Sequence, residues 1–409
     1  MPDLLATPTR EAGLAQAGSF LGRAGLDYAK SRNYDFGADR RGNVSLMSPW
    51  LRHRLVLENE MLERVLERHS FSSAQKFIEE VFWRAYFKGW LEQHSRVWSD
   101  YRAWMKSGFE QLDAKAELHD AFKRATDGKT GIDCFDAWAR ELTDTGYLHN
   151  HARMWFASIW VFTLKLPWQL GADFLLRNLL DGDPASNTLS WRWVSGLHTV
   201  GKTYLARASN IEKYTEGRFN PEGQLASTAP ALTEGQTYST EPLPEASELP
   251  DDQRFGLLIT EDDCAPEIGL LPRPPAAIMG LTATQLRSPL RVAEHACEFA
   301  AGAVSDSLSR AEETYGVGGV LVGHDEWEGR VIEWANANNI RFVVTPYVPV
   351  GPVRDFLNAA SRPLKEHGIE MLHVRRRFDE LCWPNATRGY FKLKKKIPVI
   401  LEQLEPTQK

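Results

Sequence analysis

The chain contains 409 residues, with 48 Lys and Arg against 54 Asp and Glu, and a net charge of −6. Hydrophobic residues make up 43% and charged residues 25%, which is typical of a folded soluble protein and excludes a chain that is disordered throughout. No run of eighteen uncharged apolar residues occurs, and the first residues lack the apolar block of a secretory signal, so we expect a cytoplasmic protein with no membrane partner.

Residues 1–223 have the pattern of a helical domain. Apolar residues recur at three- and four-residue spacing, as on the buried face of a helix. This pattern occupies 51–70, 72–94, 115–126 and 135–146. All but three of the 14 tryptophans lie before residue 224, and 29 Lys and Arg nearly balance 28 Asp and Glu there. The composition changes after this point, which predicts a domain boundary.

Residues 224–254 are rich in Pro, Ser, Thr and Ala, are net acidic and show no apolar period, which is typical of a linker. After it, short apolar runs alternate with helical patterns, which is the order of elements in a small parallel sheet. The predicted strands are 255–260, 318–323, 340–346 and 369–374. We therefore expect an α/β domain over 255–409.

The segment 129–193 carries the groups with the clearest chemistry. Asn150, Arg153 and Met154 are three and four residues apart, so on a helix they share one face. The DGD run at 181–183 places two carboxylates on the same side of a turn or an extended segment. An amide, a cation and two carboxylates therefore converge within one stretch of sequence.

The elements KTG, DA, REL, TG, HN and RM between 129 and 154, followed by DGD, Asn187 and Trp191, resemble in their order the flavin-binding helical domain of the photolyase and cryptochrome family. The resemblance extends upstream through 79–87 and 45–51 and covers about 200 residues, all before the linker. It implies an all-helical FAD-binding domain of the photolyase type, followed here by a small parallel-sheet α/β domain. It also implies FAD as the cofactor.

The resemblance assigns positions that contact the flavin. Arg153 and Asp181 would brace the ring system as an ion pair. Asp183 would accept a hydrogen bond from the ring imide, and Asn187 would face the reactive ring nitrogen. The other cofactor-binding positions implied by the resemblance are Tyr28, Ser45, Met47, Ser48, Arg84 and Asn150.

Four side chains, Glu80, Trp83, Met154 and Trp193, match the family's slot for damaged DNA. In DNA-repairing members the matching Glu binds the pyrimidine pair, and the matching Trp and Met residues form an apolar wall around it. Such a slot suits flipped-out bases because stacking, worth about 1–3 kcal/mol per base, offsets the cost of extrusion. We therefore expect a blue-light-driven photolyase, a carbon–carbon lyase that splits cyclobutane pyrimidine dimers in single- or double-stranded DNA. Its catalytic residues would be these four and Asn187.

The resemblance also predicts a path for electrons to the flavin. Trp191 and Trp168 match the first two tryptophans of the family's relay, but the third position is Leu112. The alternatives are that Trp104 or Trp98 substitutes for it, that the relay is shorter, or that it ends on another aromatic residue. The alternative function is a cryptochrome-type blue-light photoreceptor, which would signal to a partner through flavin photoreduction without repairing DNA.

Several positions of the expected DNA and flavin surfaces depart from the family's pattern. Arg32 and Arg207 match phosphate-contacting positions, while His151 stands where the family often has a basic residue. Val44 and Phe77 replace the usual Thr and Trp. One expected phosphate hydrogen bond and one wall of the flavin pocket are therefore changed.

The order of the two domains also differs from the family's. Familiar members begin with an α/β antenna domain, whereas the α/β part follows here. The segment 318–346 faintly resembles that antenna domain, and 386–401 resembles the stretch that leads out of it, as a circular permutation would produce. We expect an antenna-like or flavodoxin-like domain, leave a second chromophore open, and expect no metal. The basic run 392–396 is interpreted as a solvated helix face, with nucleic-acid contact as the alternative.

Overall fold

The computed structural model describes residues 7–249, 251 and 253–404, and its first half is helical. The helices there are α1 (Arg10–Phe20), α2 (Leu26–Ser31), α3 (Ser48–Arg52), α4 (Glu58–Leu66), α5 (Phe71–Glu92), α6 (Arg96–Ala114), α7 (Ala116–Thr126), α8 (Asp133–Thr145), α9 (Asn150–Ser158), α10 (Trp168–Asn178), α11 (Pro184–Val194) and α12 (Ala208–Tyr214). None of the described helices is long and apolar enough to cross a membrane.

Local sequence sets where the important helices begin and end. Ser70 caps α5 by accepting a hydrogen bond from the backbone N–H of Ser73. The helical pattern at 51–70 is interrupted, because Arg54 adopts a left-handed backbone with φ of 51° between α3 and α4. Both Arg52 and Arg54 are buried, and each forms an ion pair there. These ion pairs account for a break that apolar spacing alone does not predict.

The second half contains a five-stranded parallel sheet with strand order β3-β2-β1-β4-β5. The strands are β1 (Phe255–Thr260), β2 (Ala277–Thr282), β3 (Gly319–Gly323), β4 (Phe342–Pro346) and β5 (Glu370–Val374), and the helices between them are α13 (Glu294–Tyr315), α14 (Trp327–Ala337) and α15 (Pro352–Glu366). The predicted fold class, a helical part followed by a parallel-sheet α/β part, is confirmed.

Strand β2 is missing from the sequence prediction. It follows the PRPP run at 272–275 and contains Gly280, and both features weaken a strand assignment. In the sheet, a Cβ at Gly280 would lie 2.9 Å from Cγ1 of Val304 on α13, so the glycine allows this helix to pack closely on the strand. A close approach of this kind becomes visible only in the tertiary structure.

The carboxyl ends of β1 and β4 face the helical part. Strand order reverses between these two strands, and such a switch point is where α/β sheets commonly bind ligands. Here Glu92 at the end of α5 accepts hydrogen bonds from the Tyr347 hydroxyl and from Val350 N, both at 2.6 Å. Arg54 pairs with Asp263, after β1, at 3.4 Å. The switch point is therefore filled by side chains of the protein itself.

Three further helices, α16 (Arg377–Cys382), α17 (Phe391–Lys394) and α18 (Ile397–Gln403), follow the sheet and return to the helical part. Phe378 contacts Phe82 of α5 with ring centroids 5.5 Å apart. Gly89 permits the approach of α5 to Trp383, since a Cβ there would lie 2.8 Å from the Trp383 Cα. The hydrophobic core around α5 thus includes residues from both ends of the chain.

The acidic segment between the two parts has no helix or strand over residues 224–249. Its backbone is nonetheless fixed at several points. Glu241 N donates to the carbonyl of Gln93 at 2.8 Å, and Ser247 N donates to that of His373 on β5 at 2.9 Å. This segment therefore runs across the surface from α5 to the sheet.

Candidate active site

The Arg153–Asp181 pair lies where α9 meets the loop after α10. Nη2 of Arg153 donates to both carboxylate oxygens of Asp181 at 3.0 Å, and its Nε donates to the Leu148 carbonyl at 2.8 Å. Burial opposes the ionisation of Asp181, but Arg153 and Arg84 outweigh burial and lower the pKa of this carboxyl. The two side chains therefore form a charged pair, and its contact with a flavin ring stays a prediction.

Asp183, immediately before α11, contacts both the first turn of this helix and Lys88. One carboxylate oxygen accepts hydrogen bonds from N and Oγ of Ser186, at 2.7 and 2.8 Å, and thereby caps the helix. The other lies 3.9 Å from Nζ of Lys88. Burial opposes ionisation of Asp183, but Lys88, Arg84 and Arg52 outweigh it and lower the pKa to about 2. Asp183 is thus an anion over the whole physiological range.

Two cations beside these carboxylates have donor atoms without a hydrogen-bond partner, although Nζ of Lys88 lies 3.9 Å from Asp183. Nη1 of Arg84 and Nζ of Lys88 are buried, and neither makes a hydrogen bond to any described residue. A buried donor without an acceptor is costly, so such atoms point to a missing polar group. The ring carbonyls and phosphates of FAD carry acceptor oxygens of the required kind. The donor set therefore fits FAD, with Arg84 and Lys88 as its partners.

The predicted ribityl and diphosphate contacts lie on α2 and at the start of α3. Tyr28 is buried against Phe77, with ring centroids 5.3 Å apart. Oγ of Ser45 accepts a hydrogen bond from N of the buried Met47 at 3.3 Å. The Ser48 side chain hydrogen-bonds Asp181. This bond joins α3 to the loop between α10 and α11, residues 179–183, which we call the flavin loop.

The two predicted amides lie at the starts of α9 and α11. Asn150 is exposed in the first turn of α9. Asn187 is buried, and its Nδ2 donates to the Ala172 carbonyl of α10 at 2.8 Å. The orientation of the Asn187 carboxamide is therefore fixed by a neighbouring helix.

The residues predicted to form the slot lie on α5, α9 and α11, and their side chains are partly exposed. Glu80 forms an ion pair with Arg32, and the Glu80 side chain remains 32% exposed. Trp193 is 37% exposed and lies 5.6 Å from the ring of Tyr204. Met154 is partly buried. Arg32, predicted to contact a phosphate, is thus engaged by the slot carboxylate in the free protein.

Tyr390 is a slot neighbour that the sequence analysis missed. Its ring stacks on Trp83 with centroids 3.7 Å apart and an interplanar angle of 14°. Its hydroxyl donates to the Glu79 carbonyl at 3.0 Å. The resemblance of 386–401 to the stretch leading out of an antenna domain was the available signal, but it does not say which helix that stretch contacts.

Trp191 and Trp168, the tryptophans of the predicted electron relay, each lie beside other aromatic rings. Trp191 is buried, with its ring 6.1 Å from that of Trp160. Trp168 stacks on Tyr101 at 5.6 Å, and Tyr101 lies 5.4 Å from Trp98. Of the two suggested substitutes, Trp98 therefore continues the row of rings from Trp168. Tyr101 was missed, although it follows Trp98 by three residues on the same helix.

Two buried arginines tie the flavin loop to the sheet. Nε of Arg52 donates to the Gly182 carbonyl at 2.9 Å, and its Nη1 pairs with Asp262 at 2.6 Å. Arg287, after β2, donates to the Leu179 carbonyl at 3.1 Å. The loop that carries both flavin carboxylates is thus held from the α/β side, which no sequence motif indicated.

Arg207 is the second predicted phosphate contact. It is exposed at the start of α12 and lines an open pocket of about 390 Å³ together with Pro221 and Leu225. Its side chain is accessible to a phosphate.

Residues 77–251 match the family model for the FAD binding domain of DNA photolyase. A deoxyribodipyrimidine photo-lyase of Streptomyces griseus is 34% identical over 196 residues, which cover 48% of this chain and 40% of the relative. One from Thermus thermophilus is 34% identical over 220 residues, covering 54% and 50%. A cryptochrome DASH of Idiomarina loihiensis is 26% identical over 211 residues, covering 50% and 44%.

A class III photolyase from Agrobacterium tumefaciens aligns in structure with 25% identity and a TM-score of 0.42, over 51% of this chain and 43% of that one. The chain thus spans half or less of the length of the relatives named here. Residues 77–251 are thus similar to a photolyase-type FAD-binding domain, and this match, together with the paired carboxylates and the buried cationic donors beside them, supports FAD as the cofactor.

Proposed function

We propose that this protein is a light-dependent DNA photolyase that splits cyclobutane pyrimidine dimers. The main support for this proposal is the arrangement of two charged side chains on α5. Glu80 and Arg84 are four residues apart and therefore lie one turn apart on the same face of the helix. Arg84 points a buried, unpartnered nitrogen inward, while Glu80 remains partly exposed at the rim. A lesion held at Glu80 and Trp83 would thus lie one helical turn from the flavin site.

The residues at the rim can exchange partners when DNA binds. Burial raises the pKa of Glu80, and the attraction of Arg32 opposes this rise. If Arg32 turned from Glu80 to a DNA phosphate, this opposition would be removed. Burial would then favour the protonated form of Glu80, which can donate to a pyrimidine carbonyl. Reduced FAD, when bound and excited by blue light, would supply the electron that opens the cyclobutane ring and would take it back, with no net redox change.

The names of the photo-lyases from Streptomyces griseus and Thermus thermophilus support this proposal. The direct test is anaerobic blue-light illumination of the chemically reduced protein with an oligonucleotide that contains a thymine dimer. We expect light-dependent recovery of intact thymines, strongly reduced in Glu80→Ala. The matched control is Glu110→Ala, which removes an exposed carboxylate of α6. Dark recovery equal to that in light, or no recovery with FAD fully retained, would contradict the proposal for this lesion.

A cryptochrome-type photoreceptor is the second candidate, and the stacking of Tyr390 on Trp83 favours it. One ring face of Trp83 is covered by the protein's own aromatic side chain, which reduces the surface left for a pyrimidine. A photoreceptor would show flavin photoreduction that depends on Trp191 and no dimer splitting. Repair by the Trp191→Phe variant supplied with chemically reduced flavin would exclude this candidate as the sole function.

A further inference from the structure

The C-terminal part of the chain carries a compact basic segment, residues 388–396. It holds five Lys and Arg and no acidic residue, in a protein whose net charge is −6. Its exposed cations are Arg388, Lys392, Lys395 and Lys396. Phe391, between them, is 73% exposed, although a large aromatic side chain is normally at least partly buried. The segment therefore presents cations and an aromatic ring together.

Contacts with α5 hold the basic segment beside the slot. Tyr390 stacks on Trp83, as described above, and the Tyr86 hydroxyl donates to the Arg388 carbonyl at 2.8 Å. Nζ of Lys394 pairs with Glu79 at 2.9 Å. Glu79 immediately precedes Glu80, so the segment is anchored directly next to the slot carboxylate. The backbone that carries the exposed side chains is held in place by these contacts.

The exposed cations of the basic segment are available to a partner. Within the described part of the chain, no ion pair involves Arg388, Lys395 or Lys396, and Lys392 contacts only the uncharged Thr387 and Pro384. A row of unpaired cations fits a partner with repeated negative charges, as along a phosphate backbone. An exposed ring among them fits a base, because aromatic stacking tolerates any base.

We infer that the basic segment is a nucleic-acid-binding surface, which contacts the phosphates of the strand that flanks the slot and stacks Phe391 on an unpaired base. The lesion-bearing strand that this surface would hold is the substrate of the proposed repair function, on which the inference rests. Nucleic acid is favoured over an anionic membrane because α17 has only four residues. A membrane-binding amphipathic helix needs a longer apolar face.

The test is fluorescence anisotropy of labelled single-stranded and duplex oligonucleotides, with and without a thymine dimer, against FAD-loaded protein between 50 and 200 mM salt. The variant replaces Arg388, Lys395 and Lys396 with Ala. The control replaces three exposed cations of α6, α7 and the residue between them, Lys106, Arg124 and Lys115, with Ala and changes the net charge equally. All replaced residues are exposed, and FAD content and melting temperature confirm folding.

We expect the basic-segment variant to weaken binding of damaged and undamaged DNA alike, by roughly tenfold or more at low salt. The slope of log Kd against log salt should fall by about 2 to 3, since each lost phosphate contact removes about 0.7–0.9. Phe391→Ala should weaken single-strand binding by roughly fivefold or more. The control should bind as the wild type does.

An unchanged Kd and salt slope in the variant would overturn the inference while leaving the proposed function intact, provided that the wild type still prefers the dimer. The inference would survive failure of the proposed function if the wild type bound DNA without preference and the variant lost that binding. A wild type that binds no DNA overturns both. Loss of binding to phosphatidylserine vesicles, with DNA binding unchanged, would assign the surface to a membrane instead.

Discussion

The junction between Arg52 and the flavin loop yields the sharpest prediction about stability. Arg52 is fully buried, pairs with Asp262 at 2.6 Å and donates to the Gly182 carbonyl at 2.9 Å. Replacing Arg52 with Met keeps most of the side-chain volume but removes the charge. The Asp262 carboxylate is then left in the interior without its cation.

The expected cost follows from this burial. Removal of one partner of a buried ion pair costs about 3–5 kcal/mol, because the remaining charge is desolvated and uncompensated. The double variant Arg52→Met/Asp262→Leu removes both charges and should recover most of the loss. It does not restore the hydrogen bond to Gly182. We therefore expect both variants to release FAD more readily than the wild type, although only the single variant is strongly destabilised.

The assay is urea unfolding followed by tryptophan fluorescence, paired with titration of FAD into the apoprotein. Arg40→Ala provides the control, since Arg40 pairs with Glu216 at 3.1 Å with both side chains about half exposed or more, and such a pair contributes at most about 1 kcal/mol. A loss below 1 kcal/mol in Arg52→Met, or unchanged FAD affinity in both Arg52 variants, would refute this reasoning.

Three further predictions concern FAD retention, flavin photoreduction and the pH dependence of stability. Asp183→Asn removes a carboxylate whose pKa is lowered to about 2 by the neighbouring cations. We expect this variant to retain less FAD, measured as the flavin-to-protein absorbance ratio. Equal retention would argue against a role of Asp183 in flavin binding. Trp168→Phe should slow flavin photoreduction without affecting repair by chemically reduced protein, and Tyr101→Phe should slow it less; an unchanged photoreduction rate in Trp168→Phe would show that electrons enter elsewhere. Burial and, to a smaller extent, the charge of Arg192 lower the pKa of His198 from 6.5 to about 4. The contribution of His198 to stability is therefore complete above pH 6.5 and is lost as the pH falls towards 4. This contribution is about 3 kcal/mol, and the stability difference between the wild type and His198→Gln should change by that amount between pH 7.5 and 4; a constant difference would contradict the assignment.

Features that depend on local spacing are predictable from the amino-acid sequence alone. The apolar period predicted α5, α7 and α8 because one face of each helix is buried along its own length. The DGD run and Asn187 could be placed together because a capping carboxylate and the first turn of its helix are adjacent in the chain. The order of motifs around them, compared with a known family, led to FAD.

The residues that are distant in the sequence and complete the site are visible only in the tertiary structure. Tyr390 and Trp83 are more than 300 positions apart in the sequence, and their stacking depends on the return of the C-terminal helices to α5. Arg52 and Asp262 are 210 positions apart, and they pair because the sheet places the end of β1 against α3. Buried polar contacts of this kind have no local period, so their partners are specified by how the two parts pack and not by either segment alone.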